Sequence, residues 1–428
     1  MGTGLGKSIG SNGVGKMSRL LFILVMLLAA STGCAQNNTA FQNGPDIFLN
    51  KEFDKYAGKN LGVVTNHTGV TADGKHLVDV IHFEKKGKIA AVFGPEHGFR
   101  GDESAGKKIS DSKDEKTGIP VYSLYGETRK PTPEMLKGIE LMIFSIRDVG
   151  VRYYTYISTL YNVMEACGEA GIPVLVLDQP NIIGCTYVDG PIVEDSLFSF
   201  IGITALPMSH GMTAGELALF FKEDIIKRKN ISCSVDVVKM RGYFRETSFT
   251  ETGLKWLDPS PNLRSELACL VYPGTCILEN TNIAEGRGTV DPFLIFGAPF
   301  VNGENLKNEV ASFPGIKGVE VFTFTPISGK AATKPKYEGE LCNGVRITKI
   351  DESFESVKFG IWLIDHFAKE YPGKFEIKDR GFKLKTGKNG FKELLLTQGW
   401  KKSVESYTAE LQQFKNIRNS FLLYTNSR

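Results

Sequence analysis

The sequence predicts an α/β fold, in which an open parallel β-sheet carries helices on both faces and is followed by a mixed α/β domain. Short apolar runs recur at residues 61–64, 89–93, 121–124, 141–146 and 174–177. Helical patterns separate several of them, and one at residues 157–170 ends at Gly171. Strands buried on both faces have this continuous apolar character, and strands that alternate with helices favour a parallel sheet.

The length of 428 residues exceeds the usual size of one domain, so we divide the chain into four segments. Residues 1–36 form a signal and lipobox segment whose first residues are of doubtful origin, and residues 37–45 form a tether. Residues 46–250 form the sheet domain that carries the site, and residues 251–428 form a C-terminal domain that contributes a loop to it. The net charge of +3, without basic blocks among aromatic residues, argues against a nucleic-acid partner.

Residues 17–34 resemble a bacterial export signal. A short basic start is followed by the apolar run at residues 20–30, then by small residues and by Cys34 directly after Gly33. A cysteine at this place is typical of lipoproteins, in which it becomes the lipidated first residue; secretion without a lipid is the alternative. No later stretch is apolar enough to cross a bilayer. We expect an exported lipoprotein, periplasmic or associated with the outer membrane, that meets the membrane only through its lipid anchor.

The stretch VFGPEHGFRG at residues 92–101 places three polar side chains directly after a predicted strand. The apolar run stops at a Gly-Pro pair, and Glu96, His97 and Arg100 follow within five residues. In open α/β sheets the ligand crevice lies just outside the carboxyl ends of the strands. A carboxylate, an imidazole and a guanidinium at such an end can supply acid/base chemistry and anion binding. Glu96 is therefore the leading catalytic candidate.

Other predicted strands also end in polar residues. Asn66 follows the first strand, Asp148 follows the run at residues 141–146, and Asp178 and Asn181 follow the run at residues 174–177. If the sheet is parallel, these ends lie at one edge and converge on one crevice. The alternative is that Asn and Asp simply begin turns and cap the helices that follow.

His210 lies just before a predicted helix start. Thr213 can cap that helix, and Glu216 completes a capping box, which gives both residues a purely structural explanation. A side chain just ahead of a helix N-terminus faces a position that favours anions. We therefore include His210 among the candidate site residues.

A polar loop in the second half contains Glu285 and Arg287 between glycines, in the run AEGRGT. The alternative is an ordinary solvated loop. The functional hypothesis is that this loop brings a second carboxylate to the mouth of the crevice.

These stretches together resemble the NamZ-type exo-β-N-acetylmuramidase family, from about residue 61 to the C-terminus. The resemblance is carried by residues 65–68, 94–101, 123–126, 148–156, 178–181, 210–216, 259–262, 282–289 and 297–299. It implies a Rossmann-like parallel sheet with helices on both faces, plus a smaller C-terminal α/β domain. It also implies an exo-acting glycoside hydrolase that removes N-acetylmuramic acid from non-reducing ends of peptidoglycan fragments.

Glycoside hydrolysis requires a proton donor for the leaving oxygen and usually a second carboxylate. Glu96 is the candidate acid/base, and Glu285 or Asp148 is the candidate base or nucleophile; attack by the substrate's own acetamido group is the alternative. The substrate carries a lactyl carboxylate, which could bind Arg100, Arg152 or Arg287. The remaining substrate-binding candidates are Asn66, His97, Tyr154, His210 and Asn282.

The sequence departs from the family pattern at a few positions. Ser145 and Arg147 stand where Asp and Gln are expected, Gln179 where Arg is expected, and Ile182 where Pro is expected. These departures leave open a non-catalytic, peptidoglycan-binding or muropeptide-binding lipoprotein as the alternative function.

A metal-dependent hydrolase is a third hypothesis, with a ligand set formed by His67, His97, Asp148 and His210. No H-x-x-x-H spacing supports it. We expect no metal and no cofactor, and we expect a muramyl saccharide derived from peptidoglycan as the partner.

Overall fold

The computed structural model describes residues 1–7, 40–101 and 112–426, and residues 41–426 belong to one compact unit. Cys34 and the predicted export signal lie outside the described residues. Within the described ranges, no helix has the length and apolar character needed to cross a membrane.

The first half of the unit forms a seven-stranded sheet. Its strands are β1 (Asn60–Thr65), β2 (Lys88–Gly94), β3 (Ser112–Lys113), β4 (Pro120–Ser123), β5 (Leu141–Ser145), β6 (Val174–Leu177) and β7 (Val235–Val238). Their order is β3-β4-β2-β1-β5-β6-β7, and every pair is parallel except β3 with β4. From β1 at the centre, the chain adds β2 and then β4 on one side of the sheet. It then crosses to the other side of β1 and adds β5, β6 and β7 there. This is the Rossmann-like order, and it confirms the predicted fold class.

Seven helices of eight or more residues are described. They are α1 (Tyr156–Ala170), α2 (Ala214–Lys229), α3 (Glu266–Thr275), α4 (Gly303–Ser312), α5 (Ser356–Glu370), α6 (Asp379–Thr386) and α7 (Phe391–Arg418). As predicted, α1 ends at Gly171, whose φ of 68° is left-handed. The capping box of α2 is also confirmed, because Thr213 Oγ1 accepts from the Glu216 amide and the Glu216 carboxylate accepts from the Thr213 amide.

Both faces of the sheet are buried, which explains the continuous apolar runs. In β5, Met142 and Phe144 belong to one hydrophobic core, and Leu141 and Ile143 belong to the core on the opposite face. Helices α1 and α2 contribute to the first core. The second core is closed by short helical turns at Gly44–Ile47, Phe48–Glu52, Leu77–Asp79 and Val80–Glu84.

The second half forms a smaller, three-stranded antiparallel sheet. Its strands are β8 (Ile295–Ala298), β9 (Ile316–Phe324) and β10 (Cys342–Ile350), in the order β8-β10-β9. Helix α5 packs against α3 and α7 beside this sheet. Helix α7 contains a non-helical residue at Gly399.

The C-terminal segment contacts the first sheet at Asp178, a fully buried carboxylate that directly follows β6. Its oxygens accept hydrogen bonds from the Tyr424 hydroxyl (2.7 Å), Thr213 Oγ1 (2.7 Å) and the Gly215 amide (2.8 Å). Burial raises the pKa of Asp178 to about 6, although these three donors act in the opposite direction. Asp178 therefore anchors the N-terminus of α2. This contact agrees with the alternative that the Asp and Asn residues after the strands stabilise turns and helix starts.

The raised pKa of Asp178 makes its contribution to stability depend on pH. Between about pH 4 and pH 6 the folded protein keeps a proton on Asp178 that the unfolded chain has already released. The free energy of unfolding should therefore fall at this site, by about 2–3 kcal/mol, as the pH rises through that interval. Asp178→Asn should remove this loss. Urea denaturation at pH 4 and pH 7 should therefore show that the free energy of unfolding of the variant rises relative to that of wild type between the two pH values.

The matched control is Asp236→Asn, because Asp236 is an exposed carboxylate of the same sheet. The change between the two pH values should be larger for Asp178→Asn than for this control. An equal change in both variants would contradict the prediction.

Candidate functional site

A cavity of about 420 Å³ lies where loops of both halves of the unit meet. Its lining consists of Glu96, Glu279, Glu285, Arg287, Lys378 and the loop residues Ala331, Ala332, Thr333, Lys334, Pro335 and Lys336. Glu96 follows β2, whereas every other lining residue comes from the second half of the chain. We call this space the carboxylate cavity. It brings together Glu96, Glu285 and Arg287, three of the residues that the sequence singled out.

Glu96 is oriented by hydroxyl groups from two neighbouring strand ends. Thr155 Oγ1, in the loop after β5, donates to Glu96 Oε2 at 2.8 Å. Tyr125, which follows β4, shares a side-chain hydrogen bond with Glu96; burial, together with the charge of Glu96, raises the pKa of Tyr125 to about 12. The ends of β2, β4 and β5 thus converge on one carboxylate, as expected for parallel strands.

Glu285 is a buried carboxylate held by two cations. Lys336 Nζ donates to Glu285 Oε2 at 2.8 Å, and Arg287 Nε lies 3.5 Å from Oε1. Lys336 also donates to the carbonyls of Leu278 and Ile283, at 2.6 and 2.8 Å. This lysine therefore fixes both the carboxylate and the backbone that carries it.

Glu279 is a third carboxylate of the cavity, and the sequence did not single it out. It lies on the 3₁₀ turn Cys276–Asn280, where Arg287 Nη2 donates to it at 2.6 Å and Lys385 Nζ at 2.8 Å. Burial alone would raise the pKa of Glu279, but the two cations outweigh burial and hold this pKa well below its usual range. Against the effect of burial, Glu279 and Glu285 raise the pKa of Arg287, and Cys276 and Glu279 raise the pKa of Lys385.

Asp148 and His210 form a buried pair that does not line the carboxylate cavity. Asp148 Oδ2 accepts from the Gly150 amide at 2.7 Å and lies 3.5 Å from His210 Nε2. Because His210 Nδ1 accepts from the Met212 amide, Nε2 carries the ring hydrogen toward Asp148. Asp148 and Glu96 both influence Tyr156. Burial raises the pKa of the Tyr156 hydroxyl, and the charges of Glu96 and Asp148 raise this pKa further.

Asn66, His97 and Tyr154 are buried around the strand ends and do not line the cavity. Asn66 Oδ1 accepts from both the amide and the hydroxyl of Thr68, at 2.9 and 2.7 Å. His97 adopts a left-handed backbone with φ of 71°. The Tyr154 ring meets the Tyr156 ring edge-on, at 4.8 Å between centroids.

Arg100 and Arg152 lie away from the cavity, so that Arg287 is the predicted arginine that the structure brings there. Arg100 makes ion pairs with Asp79 and Asp114, at 3.0 and 2.8 Å. Arg152 is fully buried and donates to the Lys385 carbonyl, and burial lowers its pKa to about 9.

Asn282 holds a neighbouring chain segment and is likewise not part of the cavity lining. Its Oδ1 accepts from the Glu376 amide at 2.9 Å, and its Nδ2 donates to the Lys374 carbonyl at 2.7 Å.

The predicted metal-ligand set is not assembled. His67 Nε2 lies 2.7 Å from the Asp258 carbonyl, while His210 pairs with Asp148. Across the ranges that the structure describes, no group of three or more His, Cys, Asp or Glu side chains could hold a metal ion.

Two of the departures from the family pattern contact each other. Gln179 Nε2 donates to Ser145 Oγ at 3.3 Å, in a fully buried position where β5 and β6 end. The third, Arg147, is buried with its guanidinium 4.7 Å from the Phe249 ring centre, and burial lowers its pKa to about 10.

Comparison with known proteins gives matches over nearly the whole chain. The model of the N-terminal domain of the exo-β-N-acetylmuramidase NamZ matches residues 61–266, and that of the C-terminal domain matches residues 270–424. The peptidoglycan β-N-acetylmuramidase NamZ of Bacillus subtilis (strain 168) is 40% identical over 417 residues, which are 95% of this chain and 98% of the relative.

Crystal structures of two DUF1343 family proteins from Bacteroides fragilis NCTC 9343 share the fold. One has a TM-score of 0.80 and 31% identity, with 90% of this chain and 99% of that chain covered. The other has a TM-score of 0.76 and 30% identity, with 91% and 100% covered. The chain therefore belongs to the NamZ family of exo-β-N-acetylmuramidases, which are glycoside hydrolases.

Proposed function

We propose that this protein removes N-acetylmuramic acid from the non-reducing ends of peptidoglycan fragments, with Glu96 as the acid/base. The observation that carries the proposal is the meeting of Glu96 with Glu285 in one cavity of sugar-binding size. The Bacillus subtilis relative is named a peptidoglycan β-N-acetylmuramidase, which supports the choice of substrate.

Glu96 suits the acid/base role because its hydroxyl partners can accommodate both of its protonation states. The hydroxyls of Thr155 and Tyr125 donate to a carboxylate and can accept from a carboxylic acid. A protonated Glu96 would deliver its proton to the glycosidic oxygen as the bond to the anomeric carbon breaks. The resulting carboxylate would then be available to take a proton from water.

Glu285 suits the role of second carboxylate better than Asp148 does. Glu285 lines the same cavity as Glu96, whereas Asp148 is buried beside His210. The ion pairs with Lys336 and Arg287 fix the Glu285 carboxylate in place. From there it can activate water, attack the anomeric carbon, or orient the substrate's acetamido group for attack.

The lactyl carboxylate of the substrate calls for cations at the cavity. Arg287, Lys334 and Lys378 all line it. Arg287 already binds Glu279 and Glu285, while no ion pair within the described part of the chain engages Lys334 or Lys378. We infer that Lys334 and Lys378 supply charge for the lactyl group beside Arg287.

The neutral pair of Ser145 and Gln179 bears on the alternative of a non-catalytic binding protein. The resemblance implies an acid and an arginine at these two positions, and here neutral side chains stand at both. Because the replacement leaves no unpaired buried charge, the strand ends can keep their geometry. The exchange at Ser145 and Gln179 therefore fits an intact enzyme, whereas Arg147 adds a buried guanidinium that this argument does not cover.

Glu96→Gln should abolish release of N-acetylmuramic acid, since the amide cannot donate or accept the proton. We expect kcat to fall by about 10²–10⁴-fold, the usual contribution of a general acid/base, with an unchanged melting temperature. The measurement is release of N-acetylmuramic acid from a chromogenic β-N-acetylmuramide and from a peptidoglycan fragment. Glu134→Gln, at an exposed position, is the matched control and should keep wild-type rates.

Near-wild-type turnover by Glu96→Gln would refute the role of Glu96. A wild-type protein that binds the fragment but never cleaves it would instead support the binding-protein alternative.

Lys378→Gln should weaken recognition of the lactyl carboxylate. We expect the inhibition constant of free N-acetylmuramic acid to rise by about threefold to fivefold, as for one exposed ion pair, while that of N-acetylglucosamine stays unchanged. Lys374→Gln is the control, because Lys374 is exposed and does not line the cavity. Equal losses for both sugars would count against this assignment.

We also propose that the protein is exported and anchored through a lipid on Cys34, which fits an enzyme that meets peptidoglycan fragments outside the cytoplasm. Wild-type protein expressed in its bacterial host should incorporate labelled palmitate and sediment with membranes. Cys34→Ser should lose both properties, and Cys342→Ser, at a buried thiol, should keep them. Wild-type protein without label would favour secretion without a lipid.

A further inference from the structure

We propose that a second cavity, beside the carboxylate cavity, binds the glycan on the leaving-group side of the scissile bond, and that Arg264 contacts an anionic substituent of that glycan. The inference rests on the proposed hydrolase function. The cavity measures about 470 Å³, and Arg264, Lys330 and Asp258 line it. We call it the Arg264 cavity.

The two cavities adjoin, because the same chain segments line both. Ala331 and Ala332 belong to both linings. Consecutive residues of one loop face the two spaces, Arg287 the carboxylate cavity and Gly288 the Arg264 cavity. A glycan seated against the catalytic carboxylates can therefore continue directly into the Arg264 cavity.

The volume of the Arg264 cavity suits sugar units on the leaving-group side. Both cavities fall within the roughly 300–1,000 Å³ of small-ligand sites. An enzyme that removes terminal sugars places one sugar on the donor side and the remaining chain on the other side. The Arg264 cavity adjoins the carboxylate cavity and has a suitable size for that remaining chain.

The charge of the Arg264 cavity favours an anionic substituent. The Arg264 guanidinium is exposed but held in place, since Nε donates to the Pro261 carbonyl at 3.0 Å and Nη1 to the Val290 carbonyl at 3.2 Å. No carboxylate of the described chain forms an ion pair with it, so its outer edge can bind a ligand carboxylate in a bidentate manner. In peptidoglycan, the muramic acid units within the chain carry such carboxylates.

The wall shared by the two cavities is pre-formed. Asn262 Nδ2 donates to the Ala331 carbonyl at 2.6 Å, and the Ile327 amide donates to the Gly288 carbonyl at 3.1 Å. Gly288 has φ of +80°, and a Cβ there would lie 2.7 Å from the Ile327 carbonyl oxygen. The backbone contact requires glycine, so the two loops are held together before any ligand binds.

The test compares an aryl β-N-acetylmuramide with a tetrasaccharide that has N-acetylmuramic acid at its non-reducing end and an internal muramic acid carboxylate. For Arg264→Gln, the ratio of kcat/KM for the tetrasaccharide to kcat/KM for the aryl glycoside should fall by about fivefold, as expected for one ion pair. Reducing the internal carboxyl to an alcohol should lower the wild-type ratio similarly and leave the variant's ratio unchanged. Arg241→Gln, at an exposed arginine away from both cavities, is the matched control.

An unchanged ratio in Arg264→Gln, or equal sensitivity of wild type and variant to carboxyl reduction, would overturn the inference. If the wild-type protein cleaves neither substrate, the proposed function fails, and the cavity is tested by binding instead. Titration of the tetrasaccharide should then give a dissociation constant about fivefold weaker for Arg264→Gln than for wild type. Equal constants would overturn the inference independently of catalysis.

Discussion

Buried charge constrains the geometry of the carboxylate cavity. Glu279 and Glu285 are carried by one segment and are neutralised by Arg287, Lys336 and Lys385. A buried ion costs several kcal/mol unless it is paired, so the buried Glu285 carboxylate depends on its cations. The half-buried Glu279 carboxylate is held by Arg287 and Lys385. Lys336 comes from the loop between β9 and β10, and Lys385 from α6, so the pairing ties three separate segments together. The position of Glu285 in the cavity that it shares with Glu96 follows from this network.

The part of the site contributed by the first sheet was predictable because its cause is local. A buried strand that ends in Gly-Pro must leave its polar successors at the sheet edge, and parallel strands bring such edges together. Glu96 and the capping box of Thr213 with Glu216 both follow from short-range patterns of this kind. The polar, glycine-rich loop likewise marked Glu285 and Arg287.

The part that sequence could not predict depends on contacts between distant segments. Glu279 is an ordinary acidic residue on a short turn until Lys385, more than a hundred residues away, lies against it. Arg100 looked equally available for a ligand, but Asp79 and Asp114 occupy its guanidinium. The distances in sequence from Arg100 to Asp79 and to Asp114 do not predict these ion pairs. The partner of an arginine is a tertiary property, and residue type alone does not determine it.

Glu96 and Glu279, two carboxylates of the cavity, have different hydrogen-bond partners. Hydroxyl groups orient Glu96, and hydroxyls can serve both a carboxylate and a carboxylic acid. Cations surround Glu279, where they lower the carboxyl pKa against the effect of burial. These cations keep Glu279 ionised, beside the carboxyl group that we propose as the acid/base. Four cations of the cavity lining, Arg287, Lys334, Lys336 and Lys378, exceed its three glutamates, and this positive balance suits a sugar acid.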